Sequence, residues 1–462
     1  MTVSVSGTVD AALARSQDQI EAQQTGAMRR TLALCAESHP YYRRDWAHRG
    51  IDAGAIADLG GLQALPLTPK SALMSEPEAF RLQCAELPLE QRAIAEVIYT
   101  TGSTAAPTPV YNTTHDVQAY MFQARCMAAI TGLGETDVIA NLFPLTPAPM
   151  GAFQRSAQNA FAIGAAIVAT LPGAPFGEFP LQRSLDEAVR LITLHRATII
   201  WGVTSFVRRA LQRALDLDAD FTHVRMCAVT GEASSTAMRQ ELRRLMQALG
   251  TAGAVVFDRY GSTELGSLAQ CREEGAWHNP APELQFLEIV DPDTGQRLPD
   301  GKRGALALTH LNRRGTVLIR FLVGDVVSLA RGPCPHCGRA GERVIGPVVR
   351  AKDLVKMKGM LVNPAVLLET LGSIGEISEF QVLIQKPAGG SGFAMDELVI
   401  RIAVEATDRA AIEKQVVAAT AAAVGVRPLV EFASANDIYD PTRETKAVRF
   451  IDRRAIQEPE AE

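Results

Sequence analysis

"VVFDRYGSTELGS", residues 255–267, carries a β-branched, apolar run that ends at Asp258 and passes into Tyr260, Gly261, Ser262, Thr263 and Glu264. The run has the composition of a buried strand, and the Gly and Ser after it mark a turn. Each turn residue has a chemical use. Gly261 lets the backbone approach a ligand, Thr263 offers a hydroxyl to a phosphate oxygen, and Glu264 is a hard oxygen ligand suited to Mg2+. A strand running into such a turn is common in isolation, so its neighbours along the chain decide what it means.

Upstream, further short β-rich runs alternate with amphipathic helical segments. "AEVIYT", "DVIANLF", "GAAIVATL", "ATIIWGV" and "RMCAVTG" are separated by stretches such as "SLDEAVRLITLHR" and "SSTAMRQELRRLMQAL". This alternation predicts an α/β fold with a mostly parallel sheet. The segment before it is helical in spacing, and in "LPLTPKSAL" Thr68 and Pro69 are expected to open a helix. Downstream, "LQFLEIVDPDTGQRLPDGKRGALALTHLNRRGTVLIRFLVGDVVSLARG" breaks into shorter strands joined by Asp, Gly and Pro turns, which predicts a small antiparallel, β-barrel-like subdomain. Beyond Arg350 the order becomes β, α, β, β, α, β, as in a small α+β module. The expected division is a large N-terminal domain over residues 1–351 and a small, mobile C-terminal domain over 352–462.

Composition narrows the function classes. The net charge of −5, with Lys and Arg dispersed, leaves no basic surface for nucleic acid. No apolar stretch is long enough to span a bilayer, and the start lacks the features of a signal peptide, so a cytoplasmic protein without membrane or nucleic-acid partners is expected.

Several further segments fall into place around the opening stretch. "RMCAVTGEASS" ends a strand at Gly231, Glu232 and Ala233, where small residues leave room for a flat ring. "IRFLVGDVVSL" places Asp325 where a carboxylate can accept hydrogen bonds from vicinal ribose hydroxyls. In order, spacing and content, "YTTGSTAAPT", "TGEAS", "YGSTE", "VGD", "RAKDLVKMKG" and "RETKAVRF" resemble the adenylate-forming ligase superfamily. "HPYYRRDW" and "LPLTPKSAL" make the chain similar to the phenylacetate–CoA ligase-like family within it.

The resemblance implies ATP-dependent conversion of a carboxylic acid to an acyl-adenylate, with loss of pyrophosphate, then transfer of the acyl group to CoA. It implies that Lys446 bridges the charge that builds at the α-phosphate, with Thr263 on that phosphate and Glu264 on Mg2+. Asp325 and Arg350 would hold the ribose. Tyr260, with Gly231, Glu232, Ala233, Asp258, Gly261 and Ser262, would surround the nucleotide. Thr101, Ser103 and Thr104 would cradle the β- and γ-phosphates, although Ala105 and Ala106 stand where the family has glycine and lysine. A lost charge-assisted contact is worth about 1.5–3 kcal/mol, so a working loop with weakened ATP affinity is expected. Lys352 would be the hinge about which the C-terminal domain alternates, and Gly359 would line a tunnel for CoA; Lys356 and Lys358 read as a basic strand and turn. The relatives suggest a homodimer.

The expected acyl pocket takes Phe143, Met150 and Phe153 from "NLFPLTPAPMGAFQRS", Trp201 from "WGVTS", and Phe257. These suit a small aromatic or compact apolar acid better than a dicarboxylate, although any α/β core would contain such residues. Cys271, His278, Cys334 and Cys337 form a ligand set for a structural, tetrahedral Zn2+ in a subdomain around residues 265–345, with His336 an alternative fourth ligand. Cys35, Cys84, Cys126 and Cys227 are expected in the core. Two other functions stay open: an adenylating enzyme that passes the acyl group to a carrier protein or amine, and a non-catalytic nucleotide-binding homologue.

Overall fold

Five parallel strands form the centre of the protein, in the spatial order Ala166–Ala169, Val138–Asn141, Ile199–Val203, Met226–Thr230 and Val255–Arg259. The computed structural model describes residues 9–100, 107–144, 151–172, 183–232, 234–350, 355–357, 360–362, 364–387, 396–405, 408–441 and 447–454. Both faces of the sheet are covered, which is why its strands read as continuous apolar runs. Ile139, Ile199, Ile200, Cys227 and Val256 are fully buried. The helix Thr204–Asp216 packs on this core through Phe206, Val207, Ala210, Leu211 and Ala214, a helical stripe that leaves its polar face outward.

One apolar run left this sheet. Ile94–Tyr99 pairs antiparallel with Pro109–Thr113, with Tyr99 opposite Pro109. The connection between these two strands is too short for a parallel crossover, which needs a dozen or more residues, so the pair closes as a hairpin.

The second large sheet is antiparallel, in the order Ala269–Gln270, Trp277–His278, Arg343–Arg350, Phe321–Ala330, Arg303–His310 and Gln285–Val290. It is not a closed barrel: among the described residues no ladder joins its edges. Irregularities between Ala305 and Ala307, and between Val326 and Ser328, curve it. The helix Gln17–Ser38, started by a capping box between Ser16 and Gln19, covers one face with Met28, Leu32 and Cys35. The helix Lys70–Ser75 does follow Pro69, but Thr68 does not cap it. The Thr68 hydroxyl donates to the Ile319 carbonyl at 2.7 Å, and its backbone pairs with Phe321.

The third assembly is a four-stranded sheet, Leu429–Phe432, Glu397–Val404, Ile377–Gln385 and Phe450–Asp452, with Pro364–Gly372 and Arg409–Val424 on it and a core of its own. Its last strand is Phe450–Asp452, parallel to Ile377–Gln385. Among the described residues, the earlier run, Val355–Met357, pairs only with Met360–Val362. A buried ion pair, Arg208 Nη1 to Glu379 Oε2 at 3.4 Å, links this module to the α/β core. No helix among the described residues is long and apolar enough to cross a membrane.

Candidate functional site

A cavity of about 1080 Å³ opens at the carboxyl ends of Met226–Thr230 and Val255–Arg259, between the two large sheets and the C-terminal module. Such a strand-end crevice is the usual binding position in an α/β sheet. Gly231, Glu232, Asp258, Tyr260, Gly261, Asp325 and Arg350 all line it, so residues far apart in sequence converge there.

Asp325 sits opposite Arg350 across two strands, with Arg350 Nε 3.5 Å from its Oδ1. Tyr260 donates its hydroxyl to Asp325 Oδ2 at 2.6 Å. Burial and the adjacent Asp325 carboxylate push the Tyr260 phenol well above its ordinary value, so it stays a neutral donor. Trp277, which sequence did not single out, lies 5.7 Å from the Tyr260 ring and donates its indole N–H to the Asp258 carbonyl at 3.0 Å. The Asp258 carboxyl is buried, and that burial pushes its pKa up to about 7, against the pull of Arg239, whose Nη1 lies 3.9 Å away. Arg239 also binds Glu274 and donates to Thr236 Oγ1.

Thr263 and Glu264 occupy the turn of a small hairpin, Gly261–Ser262 with Gly266–Ser267. A side chain at Gly261 would collide with the Gly266 carbonyl, so glycine is required here for hairpin closure. Ser262 Oγ accepts the Leu265 N–H at 3.2 Å and shapes the turn. Glu264 is buried, and its carbonyl accepts the His310 Nε2–H at 2.9 Å. Lys70 Nζ lies 3.1 Å from Glu264 Oε1, yet without hydrogen-bonding geometry, so Oε1 accepts no hydrogen bond. The Lys70 ammonium supplies the counter-charge at this oxygen, and a hard divalent cation bound there would have to displace it.

Glu232 has structural duties. It accepts the Ser205 N–H at 3.0 Å and Ser205 hydroxyl at 2.7 Å, at the start of Thr204–Asp216. It also accepts the N–H of Ala447, the residue after Lys446, at 2.9 Å, which brings the C-terminal segment to the rim of the cavity. Thr101, Ser103, Thr104, Met150, Ala233, Lys352, Gly359 and Lys446 lie outside the described residues.

Of the expected acyl-pocket residues, Phe143, Trp201 and Phe257 are buried in the main core and Phe153 is half-buried. Phe143 and Trp201 meet edge to face at 6.5 Å. Sequence reasoning missed Arg259, which lies beside them with its guanidinium carbon 3.9 Å from the Trp201 ring centroid. A charged residue ending an apolar strand was the available signal, but "DRYG" read as a turn.

Cys271, His278, Cys334 and Cys337 come together with their ligand atoms all within 4.8 Å of one another. Cys271 Sγ lies 3.9 Å from Cys334 Sγ, and Cys337 Sγ lies 3.7 Å from His278 Nε2. A tetrahedron with ~2.3 Å metal–sulfur bonds has edges of about 3.8 Å, so these spacings fit a tetrahedral ion. His336 is exposed and takes no part in the cluster. Cys35, Cys126 and Cys227 are buried, whereas Cys84 is half-buried and donates its thiol to Glu86, because it sits in a surface connection.

The AMP-binding enzyme family matches residues 50–311. Phenylacetate-coenzyme A ligase of Thermus thermophilus is 24% identical over 84% of this chain and 82% of its own length, and that of Escherichia coli is 25% identical over 79% and 78%. Among solved structures, 2-hydroxyisobutyryl-CoA ligase in the postadenylation state with 2-HIB-AMP superposes with a TM-score of 0.80 at 21% identity, covering 99% of this chain and 94% of that one. The same enzyme in the thioesterification state, with 2-HIB-AMP and CoA, gives 0.62 at 21% identity, covering 96% and 92%.

Proposed function

This chain belongs to the AMP-binding enzyme family, and on that premise we propose that it activates a small carboxylic acid with ATP and transfers the acyl group to CoA. One observation carries the proposal: Gly231, Tyr260, Asp325 and Arg350 converge on one cavity whose rim also holds the C-terminal segment through Ala447 and Glu232. A carboxylate cannot expel oxide, so it must first acquire a better leaving group. A carboxylate oxygen attacks the α-phosphorus, the bond to the β-phosphate oxygen breaks, and pyrophosphate departs with that electron pair. The CoA thiolate then attacks the acyl carbon, and AMP leaves.

In this proposal Asp325, held by Tyr260 and Arg350, binds the ribose hydroxyls. Thr263 would contact the α-phosphate, and Glu264 would hold Mg2+, which would supply positive charge to offset that of the phosphates. Thr101, Ser103 and Thr104 hold the outer phosphates, Lys352 is the hinge between residues 1–351 and the C-terminal domain, and Gly359 admits CoA. The acyl body packs near Phe143, Trp201 and Phe257.

Lys446 is the cation assigned to the adenylation step. Lys446→Ala should reduce carboxylate-dependent ATP–pyrophosphate exchange by at least about a hundredfold. Transfer from a preformed acyl-adenylate to CoA should fall far less. Equal loss in both half-reactions would assign Lys446 another role.

The Cys/His cluster is proposed to hold a structural Zn2+, since its four ligands leave no open position for substrate. Cys334→Ser should lower bound zinc, measured by metal analysis, and lower the melting temperature. A zinc-free wild-type protein with the same melting temperature would end that assignment.

A further inference from the structure

Arg259 is only 2% exposed, and its Nε, Nη1 and Nη2 find no hydrogen-bond acceptor among the described residues. Trp201 Nε1, in the residue on which the guanidinium rests, is likewise a buried donor without a partner. A buried charge normally has its donors satisfied, because leaving them bare is costly. The nearby acids do not supply that partner. Asp258 is the preceding residue on the strand and projects to the opposite face. Glu96 is already engaged by Asn112 at 2.9 Å, by Gln154 and Gln158 at 2.6 Å each, and by Arg155. Tyr120 packs beneath the Arg155 guanidinium and accepts from Asn159; burial pushes its phenol up, so it offers no charge.

The bare donors lie on the face that carries the aromatic residues assigned to the acyl group. Trp201, Ala228 and Phe257 are in register across adjacent strands, and Arg259 follows Phe257 by two residues and shares its face. Resting on the proposed adenylation of a carboxylic acid, we propose that Arg259 and Trp201 Nε1 bind a second carboxylate on the substrate, remote from the one that is adenylated. The preferred acids would then be dicarboxylates with a flat or compact body, reversing the preference that the apolar residues alone suggest.

A cation held against the reacting carboxylate would stabilise the ground state, because that group loses its charge when it becomes the acyl-adenylate, and such binding does not accelerate the step. A remote carboxylate keeps its charge throughout, so pairing it with Arg259 aids binding without opposing chemistry.

The test compares acids of matched body, benzoate with isophthalate and valerate with glutarate, by ATP–pyrophosphate exchange. Wild type should favour at least one diacid over its monoacid by roughly tenfold to a hundredfold in kcat/KM, the range expected for charge-assisted hydrogen bonds. In Arg259→Leu that ratio should fall to one or below, and Arg259→Lys should retain part of it. Preference for both monoacids in wild type, or an unchanged ratio in Arg259→Leu, overturns the proposal while leaving adenylation intact. Exchange with no acid at all overturns adenylation instead. Thermal denaturation then decides the second-carboxylate site separately: isophthalate or glutarate should raise the melting temperature of wild type and not of Arg259→Leu, and no shift in wild type rejects the site.

Discussion

Asp258 and Arg259 are adjacent, oppositely charged and buried, yet they face different solutions to the same electrostatic problem. On one side of the strand Val255–Arg259, Asp258 has Arg239 nearby, Arg239 has Glu274, and Gln270 accepts the Asp258 N–H at 2.9 Å. On the other side, Arg259 and the Trp201 indole present donors with no acceptor among the described residues. The closed network holds the nucleotide side of the cavity in shape. The open one leaves binding capacity for a group that arrives with the substrate.

Opposite stability effects should separate the two sides. Arg239→Leu removes the cation from the closed network; Glu274 is partly exposed and Asp258 can hold a proton, so stability should fall by roughly 1–3 kcal/mol in denaturant titration. Arg259→Leu replaces an uncompensated buried charge with an apolar side chain, and the ligand-free protein should gain about 1–4 kcal/mol. Destabilisation of similar size by both changes would mean that Arg259 is structural and the contrast is false.

A subtler effect separates the sides by pH. Burial raises the Asp258 pKa from its ordinary 3.8 to about 7, so the native state holds a proton there that the unfolded chain releases between those values. The resulting stabilisation is present in full below the unfolded pKa and is lost as pH rises through about 7. The melting temperature of ligand-free protein should therefore drop between about pH 4 and pH 7 and level off above, and Asp258→Asn should flatten that segment. An identical slope in the variant would assign the titration elsewhere.

What sequence revealed follows from the range of each interaction. The runs of the parallel sheet were legible because burial on both faces makes them continuously apolar. Ile94–Tyr99 has the same texture, but an apolar run does not name its partner, and only the short return to Pro109–Thr113 shows that it forms a hairpin. The antiparallel strands were equally legible, but whether their edges meet depends on curvature, which local composition does not encode. Tyr260, Asp325 and the Cys/His ligands carry their chemistry in residue type and local context. Arg239, Trp277 and Lys70 acquire significance only through partners distant in the chain, at Asp258 and Glu264. Arg259 is the extreme case, since its meaning lies in the hydrogen-bond acceptors it lacks among the described residues.

The most direct test of acyl activation and transfer to CoA is acid-dependent ATP–pyrophosphate exchange across a panel of monocarboxylic and dicarboxylic acids, followed by CoA addition and mass detection of products. Exchange is expected with at least one acid and, once CoA is added, so are the matching acyl-CoA thioester and AMP. Exchange without thioester would contradict transfer to CoA, and absence of exchange with every acid would contradict activation itself.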